Sequence, residues 1–267
     1  GPCRGQEDSL VISPRAKRGA TIFMLLAGTN FALHYRALRG DFRAYWRDAE
    51  FRFYCLTYSV ALVVLVLNTT IRFGGDAPVY GSVGTSLRFS AFQAASILTT
   101  TGYGTYDFEL WPALSQILLV TLMFFGGCAG STGGGLKHVR FLLLIKHGYT
   151  EVRRLILPRA VLPIRMNDQI VPPDVMKNIL GFFFLFMAIL TIATSLMASL
   201  GLDIVTSFSS VVAAMGNIGP GLGNVGPTDN YAAIPLFGKC ILCFCMLLGR
   251  LELYTVLVLF APQLWRR

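Results

Sequence analysis

Two short glycine-bearing strings could hold a bare cation with backbone atoms alone. Ala95-Ser96-Ile97-Leu98-Thr99-Thr100-Thr101-Gly102-Tyr103-Gly104 lines up with Val212-Ala213-Ala214-Met215-Gly216-Asn217-Ile218-Gly219-Pro220-Gly221, so that Gly102 stands opposite Gly219 and Gly104 opposite Gly221. Aiming successive carbonyls at one axis demands backbone dihedrals closed to residues with a Cβ, and glycine supplies them. The carbonyls offer partial negative charge without a formal one. A desolvated monovalent cation can therefore bind them in place of water and still leave. The bland alternative is that each glycine merely ends a helix. Two turns in register, each after a short apolar stretch, make that alternative the weaker one.

A third string offers mechanics. Between Gly126 and Gly135 six of ten residues are glycine: Gly126, Gly127, Gly130, Gly133, Gly134 and Gly135. A phosphate loop needs G-x-x-x-x-G-K-[ST] after a strand. Here Leu136 separates Gly135 from Lys137, His138 follows the lysine, and no strand precedes. A helix broken at membrane depth is tolerated where it lines a cavity or is buried in protein. Close packing of helices through small residues would also use glycine, but six exceed that need, which favours a flexible gate. Arg250 interrupts another apolar run, between Phe244 to Leu248 and Leu253 to Phe260. An arginine near a bilayer centre costs at least about 2.5 kcal/mol, so it must face water or a partner. A place in a pore and a structural pairing with Glu252 or another carboxylate both satisfy that requirement.

The elements that must position these strings are apolar helices. The chain has 267 residues, 54% of them hydrophobic and 14% charged, with net charge +9. Soluble domains carry about 25% charged residues, and disorder requires low hydrophobicity. The charge does not spread over an ordinary folded surface as in a nucleic-acid binder. It falls between uncharged runs: Leu110 to Leu136 is 27 residues and Asn178 to Leu202 is 25. Each exceeds the roughly 20 residues that span a bilayer. Gly19 to Leu33, Phe53 to Ile71 and Ala232 to Leu264 approach spanning length. Phe89 to Leu98 and Ile204 to Met215 are too short to cross, end in glycine-rich turns, and are expected to be re-entrant. The fold class is thus an all-α integral membrane protein. Helix, re-entrant helix, glycine turn and helix follow one another twice.

Arg36, Arg39, Arg43, Arg47 and Arg52 fill one loop, and Lys137, Arg140, Lys146, Arg153, Arg154, Arg159 and Arg165 another; the tail ends in Arg266-Arg267. By the positive-inside rule these loops are cytoplasmic, and the turns near Asp107, Glu109, Asp203 and Asp229 open outward. Arg15, Lys17 and Arg18 run against this assignment. Gly1 to Pro14 has no apolar core of a signal peptide. Residues 1–18 read as a poorly ordered or truncated remnant.

The strings together resemble the Trk/Ktr/HKT superfamily of potassium transporters, and specifically its TrkH-type subunits. Thr99 to Gly104, one residue from the TVGYG string of potassium channels, carries the resemblance with Gly126 to Lys137, Asn217 to Gly221 and Leu248-Gly249-Arg250-Leu251-Glu252. Phe23 to Phe31 is similar to the last helix of a preceding repeat. The resemblance implies M1–P–M2 repeats, four around one pore. Residues 19–36 would end one repeat, 53–147 form the third, 148–174 a cytoplasmic linker and 175–267 the fourth. It further implies a filter at Thr100, Thr101, Gly102, Tyr103, Asn217, Ile218, Gly219 and Pro220, with K+ at Thr101, Gly102, Ile218 and Gly219. Arg250 is placed beside the gate. A homodimer, a cytosolic nucleotide-binding regulatory subunit of the TrkA type, a bacterial inner membrane, no cofactor and no nucleic acid complete the expectation. Only two repeats and one helix are present, so the chain reads as the C-terminal half of a pore.

Nothing in the spans suggests catalysis. Cys240, Cys243 and Cys245 share an apolar helix without a neighbouring histidine, and behave as small hydrophobes. His34, His138 and His147 are expected at helix-end surfaces. Asn68-Thr69-Thr70 fits the glycosylation pattern only by its letters. The alternatives to transport are a non-conducting remnant or scaffold and an intramembrane enzyme.

Overall fold

The computed structural model of the chain describes residues 14–71, 82–157, 160, 162–167, 169–251 and 253–259. The expected remnant up to residue 13, Arg159, Glu252 and the closing arginine pair lie outside the described residues. The helices are α1 (Pro14–Ala27), α2 (Phe31–Leu38), α3 (Arg43–Arg47), α4 (Ala49–Thr70), α5 (Val83–Leu98), α6 (Ala113–Phe124), α7 (His138–Ile156), α8 (Pro173–Ser199), α9 (Ile204–Gly216), α10 (Leu236–Arg250) and α11 (Leu253–Leu259).

Local chemistry starts them where it should. Asp48 caps α4 by accepting from Phe51 N–H at 2.8 Å, and Ser82 caps α5 by accepting from Thr85 N–H at 3.2 Å. Asp203 caps α9, accepting from Thr206 N–H at 3.0 Å. Hydrogen bonds from the Thr206 side chain and backbone hold the Asp203 carboxyl below its ordinary range. Pro173 opens α8 at the first helical position, where its missing N–H is not needed.

Helices α4 and α8 are long and apolar enough to cross a membrane, about 33 and 40 Å at 1.5 Å per residue. Each gives one face to the core, α4 through Tyr54, Ala61 and Leu65 and α8 through Phe182, Phe186, Leu190, Ala193 and Met197. The short α5 and α9 lie at its centre, with every residue buried from Phe92 to Leu98 and from Ser209 to Gly216. Helix α5 packs against α1, α4 and α6, and α9 against α6, α8 and α10. The long helices turn apolar residues such as Leu56, Val63, Phe184 and Ile192 outward. A lipid solvent permits this distribution, since it removes the cost of an apolar exterior.

Four expectations need correction. The helix at 19–36 is two helices, broken at Gly28-Thr29-Asn30. A Cβ on Gly28 would press to 2.8 Å from the Tyr54 hydroxyl, and the freed backbone pairs elsewhere: Gly28 C=O accepts from Cys128 N–H at 2.8 Å. The last apolar run is not one helix either, because α10 stops at Arg250 and α11 begins at Leu253. The segment 148–174 is not wholly a linker, since α7 continues to Ile156. It also carries a two-residue antiparallel pair, β1 (Arg165–Met166) with β2 (Gln169–Ile170). His138 is not at the surface but fully buried, ringed by Phe53, Tyr54 and Phe125. Asn68 is buried too, donating to the Ser115 hydroxyl at 2.8 Å.

Candidate functional site

Both short helices end with the same hydrogen bonds. Thr100 N–H donates to Ile97 C=O at 3.0 Å and Thr101 N–H to Ser96 C=O at 2.8 Å. The counterparts are Asn217 to Ala214 at 3.1 Å and Ile218 to Ala213 at 3.0 Å. This closure requires a left-handed residue at the turn. Thr100 takes it at φ 56° and Asn217 at φ 54°; Gly102 and Gly219 follow at 78° and 116°. Asparagine tolerates that region, whereas a β-branched threonine pays roughly 1–2 kcal/mol. The strained Thr100 aims its hydroxyl downward, where it accepts from Gly134 N–H at 2.7 Å.

The two turns touch. A Cβ on Gly102 would overlap the Ile218 carbonyl oxygen, so only glycine fits. Pro220 borders the same spot, its Cδ 3.4 Å from that Cβ position. Among the described residues, no N–H or hydroxyl donates to the carbonyls of Thr100, Thr101, Gly102, Asn217 or Ile218. Ile218 is buried and the other four residues are partly exposed, so these carbonyls stand open to water or a cation instead of pairing within the protein. By contrast the Tyr103 carbonyl accepts from the Ser96 hydroxyl at 2.7 Å and the Gly219 carbonyl from the Tyr231 hydroxyl at 2.6 Å. Asn217 Nδ2 donates to Met246 C=O in α10 at 3.1 Å.

Directly beneath lies the glycine segment. It leaves α6, loops, and returns to α7 with Gly126 N–H on Leu136 C=O at 2.7 Å and His138 N–H on Gly127 C=O at 3.3 Å. The close approaches explain its composition. A Cβ on Gly126 would overlap the Gly134 carbonyl oxygen, and one on Gly134 would lie 2.7 Å from the Gly216 carbonyl oxygen. Gly133 is as tight against Gly127 N, at 2.7 Å. Gly130 and Gly135 have φ of 70° and 64°.

One carboxylate holds both legs of this loop. Glu50, buried at the start of α4, accepts through the same Oε1 from Ala129 N–H at 2.7 Å and Val139 N–H at 3.0 Å. The His138 ring pairs through Nδ1 with Gly126 C=O, and Phe31 N–H reaches Gly130 C=O at 3.1 Å. On the opposite side Arg250 Nη1 donates to Thr132 C=O at 2.8 Å, and Lys137 Nζ donates to Gly133 C=O. A cavity of about 160 Å³ opens there, lined by the glycine segment with Lys137, Arg140, Phe182 and Arg250. In the loop between α5 and α6, Glu109 sits against Gly226. Burial pushes its carboxyl above the ordinary value, although an N–H from Gly223 acts the other way.

The structure thus brings together Thr100 to Tyr103, Asn217 to Pro220, the six glycines and Arg250. Glu50, His138, Gly28 and Tyr231 escaped the sequence reading. Glu50 stands in a run of arginines with no spacing that announces a partner 79 residues away. Tyr231 is one of ten tyrosines, and nothing local marks it. A helix-end histidine flanked by glycines on one side and an apolar run on the other was the one legible signal.

Comparison with known proteins gives a consistent answer. A profile of the family described as TrkH, cation transport protein, matches residues 16–267. The Trk system potassium uptake protein TrkH of Salmonella typhimurium is 40% identical over 255 residues, covering 95% of this chain and 51% of that protein. The Trk system potassium uptake protein TrkG of Escherichia coli K12 is 36% identical over 246 residues, covering 91% and 49%. The crystal structure of the potassium transporter TrkH from Vibrio parahaemolyticus matches with TM-score 0.88 and 33% identity, covering 98% of this chain and 55% of that one. The chain spans about half the length of the curated relatives it matches.

Proposed function

The chain belongs to the TrkH family of cation transport proteins, and from that premise we propose that it takes K+ up across the bacterial inner membrane as the C-terminal half of a pore-forming subunit. The reading makes two M1–P–M2 repeats: α4, α5 and α6–α7, then α8, α9 and α10–α11, with α1 closing an earlier repeat. Two further repeats come from outside these residues.

The single observation that carries it is the cluster of unengaged carbonyls on two turns closed by matching hydrogen bonds. In this reading the backbones of Thr100 to Tyr103 and Asn217 to Pro220 supply two of four filter layers, with K+ held nearest Thr101, Gly102, Ile218 and Gly219. Carbonyl dipoles replace the hydration shell, and rigid turns fix their spacing. The Gly126–Gly135 loop is the gate. Glu50 and His138 pin its rear, Arg250 and Lys137 its front, and the Thr100 hydroxyl ties it to the filter. Arginine-rich loops face the cytoplasm, where the one that runs from Lys137 to Arg165 meets a TrkA-type nucleotide-binding regulator, and the subunit pairs as a homodimer. The function is transport rather than catalysis, with K+ as cargo.

The test is uptake by a K+-uptake-deficient bacterium expressing the whole gene. Gly219→Ser should lower K+-over-Na+ selectivity, and Gly102→Ser, whose Cβ would overlap the Ile218 carbonyl oxygen, should abolish uptake; unchanged selectivity in the first together with unchanged uptake in the second removes the filter assignment. Arg250→Ala should alter flux or its regulation, and loss of neither removes Arg250 from the gate.

A further inference from the structure

The hairpin formed by α2 and α3 has a composition that the filter and gate do not use. Its inward side is small: Leu33, Ala37 and Ala44 are the residues it buries. Its outward side is large and of two kinds. Phe31, Tyr35, Leu38, Phe42 and Trp46 are exposed, Leu38 to 88% and Trp46 to 72%. Arg36, Arg39, Arg43 and Arg47 are exposed beside them. The sole acid between residues 31 and 47 is Asp41, and Arg36 takes it at 2.8 Å. Arg39 lies over the Tyr35 ring, 4.6 Å from its centre. Among the described residues, no carboxylate pairs with Arg39, Arg43 or Arg47.

This display is held in place. His34 Nδ1 bonds the Tyr45 hydroxyl at 2.6 Å and its Nε2 the Leu26 carbonyl at 2.9 Å. Asn167 bridges Asp48 and the Ala49 N–H at the foot of α4. Trp46 leans on Phe51, ring centres 6.5 Å apart. From there α4 continues with Leu56, Val60, Val63 and Leu67 exposed at helical spacing. The hairpin therefore sits at the foot of an outward apolar stripe about 16 Å long. That continuity favours a lipid over a protein as occupant. Aromatic rings suit the headgroup level, and arginines extend apolar stems while their heads reach for phosphate.

We propose that the α2–α3 hairpin is a binding site for anionic phospholipid headgroups of the adjacent leaflet, with Arg39, Arg43 and Arg47 contacting phosphate and Trp46 seated at the acyl boundary. Clusters of four or more basic residues beside a membrane helix select anionic lipid in this way. The site is independent of the filter and gate, so it stands or falls separately from the transport reading.

The whole protein reconstituted in phosphatidylcholine vesicles tests it. Trp46 emission is isolated as the difference between wild type and Trp46→Phe, which changes only an exposed side chain. An equal mole fraction of dibrominated phosphatidylglycerol or dibrominated phosphatidylcholine is then added. Trp46 should be quenched by both and more strongly by phosphatidylglycerol. The Arg39→Gln, Arg43→Gln, Arg47→Gln triple variant should lose that preference, at about fivefold per arginine. No quenching by either lipid means that protein covers the face and overturns the proposal. So do equal quenching by both lipids and full preference retained in the triple variant.

Discussion

The turn after α5 and the turn after α9 share a backbone but not the means of holding it. Both close with the same two bonds and a left-handed residue. The first uses a strained threonine whose hydroxyl receives Gly134 N–H, and its Gly102 has no room for a methyl group. The second uses an asparagine that adopts the conformation readily and reaches sideways to α10. Its Gly219 faces open space, and a tyrosine hydroxyl holds its carbonyl. Both turns pack against the glycine segment, but the first is hydrogen-bonded to it and the second is hydrogen-bonded to α10. Equal backbones with unequal supports should respond unequally.

The largest difference is expected between Gly102→Ala and Gly219→Ala. The first adds a clash with backbone to a forbidden dihedral, about 2–5 kcal/mol in all, and should abolish uptake and lower the melting temperature. The second strains only the dihedral, about 1–2 kcal/mol, and should leave folded protein with altered selectivity. Equal melting temperatures would break the comparison. Next comes Glu50→Ala against Glu50→Gln, read by thermal unfolding and by uptake. Alanine strands two N–H groups at about 1–3 kcal/mol each. Glutamine keeps an acceptor oxygen and should lose less than half as much. If the two behave alike, the carboxylate does not hold the loop through these bonds.

Thr100→Val and Asn217→Ala sharpen the contrast in coupling. Valine keeps the β-branch but removes the acceptor for Gly134 N–H, costing about 1 kcal/mol, and should change gating more than selectivity. Asn217→Ala costs a similar amount, yet should leave gating by the glycine segment unchanged in single-channel or flux traces. The smallest effect concerns the seam between Glu109 and Gly226. Burial raises the Glu109 carboxyl, so folding favours its neutral form. Its contribution to stability is then fullest at acid pH and is lost as pH rises from the ordinary carboxylate value of 4.5 through the raised one. Glu109→Gln should flatten that slope in pH-dependent melting.

Much of this was legible beforehand for a physical reason. The short helices, the glycine turns and the break at Gly126–Gly135 are local features, written in apolar run length and in the dihedral freedom of glycine. Arg250 was legible because a charge in an apolar run demands a partner, though not which one. Its contact proved to be the Thr132 carbonyl. The broken helix at Gly28 was missed because the cause is remote: the chain opens so that Gly28 C=O accepts from Cys128 N–H and Phe31 N–H donates to Gly130 C=O. His138 was misplaced for the same reason, since its burial depends on rings from α4.

The sequence by itself determined which stretches are long and apolar enough to enter a bilayer and where glycine turns interrupt them. Those follow from hydropathy and local sterics, which act within a few residues. The tertiary structure alone decided that the two turns meet, that the glycine segment lies beneath them, and that Glu50 holds it from 79 residues away. Hydrogen bonds and close contacts across such separations depend on how helices pack, and packing is a property of the whole chain.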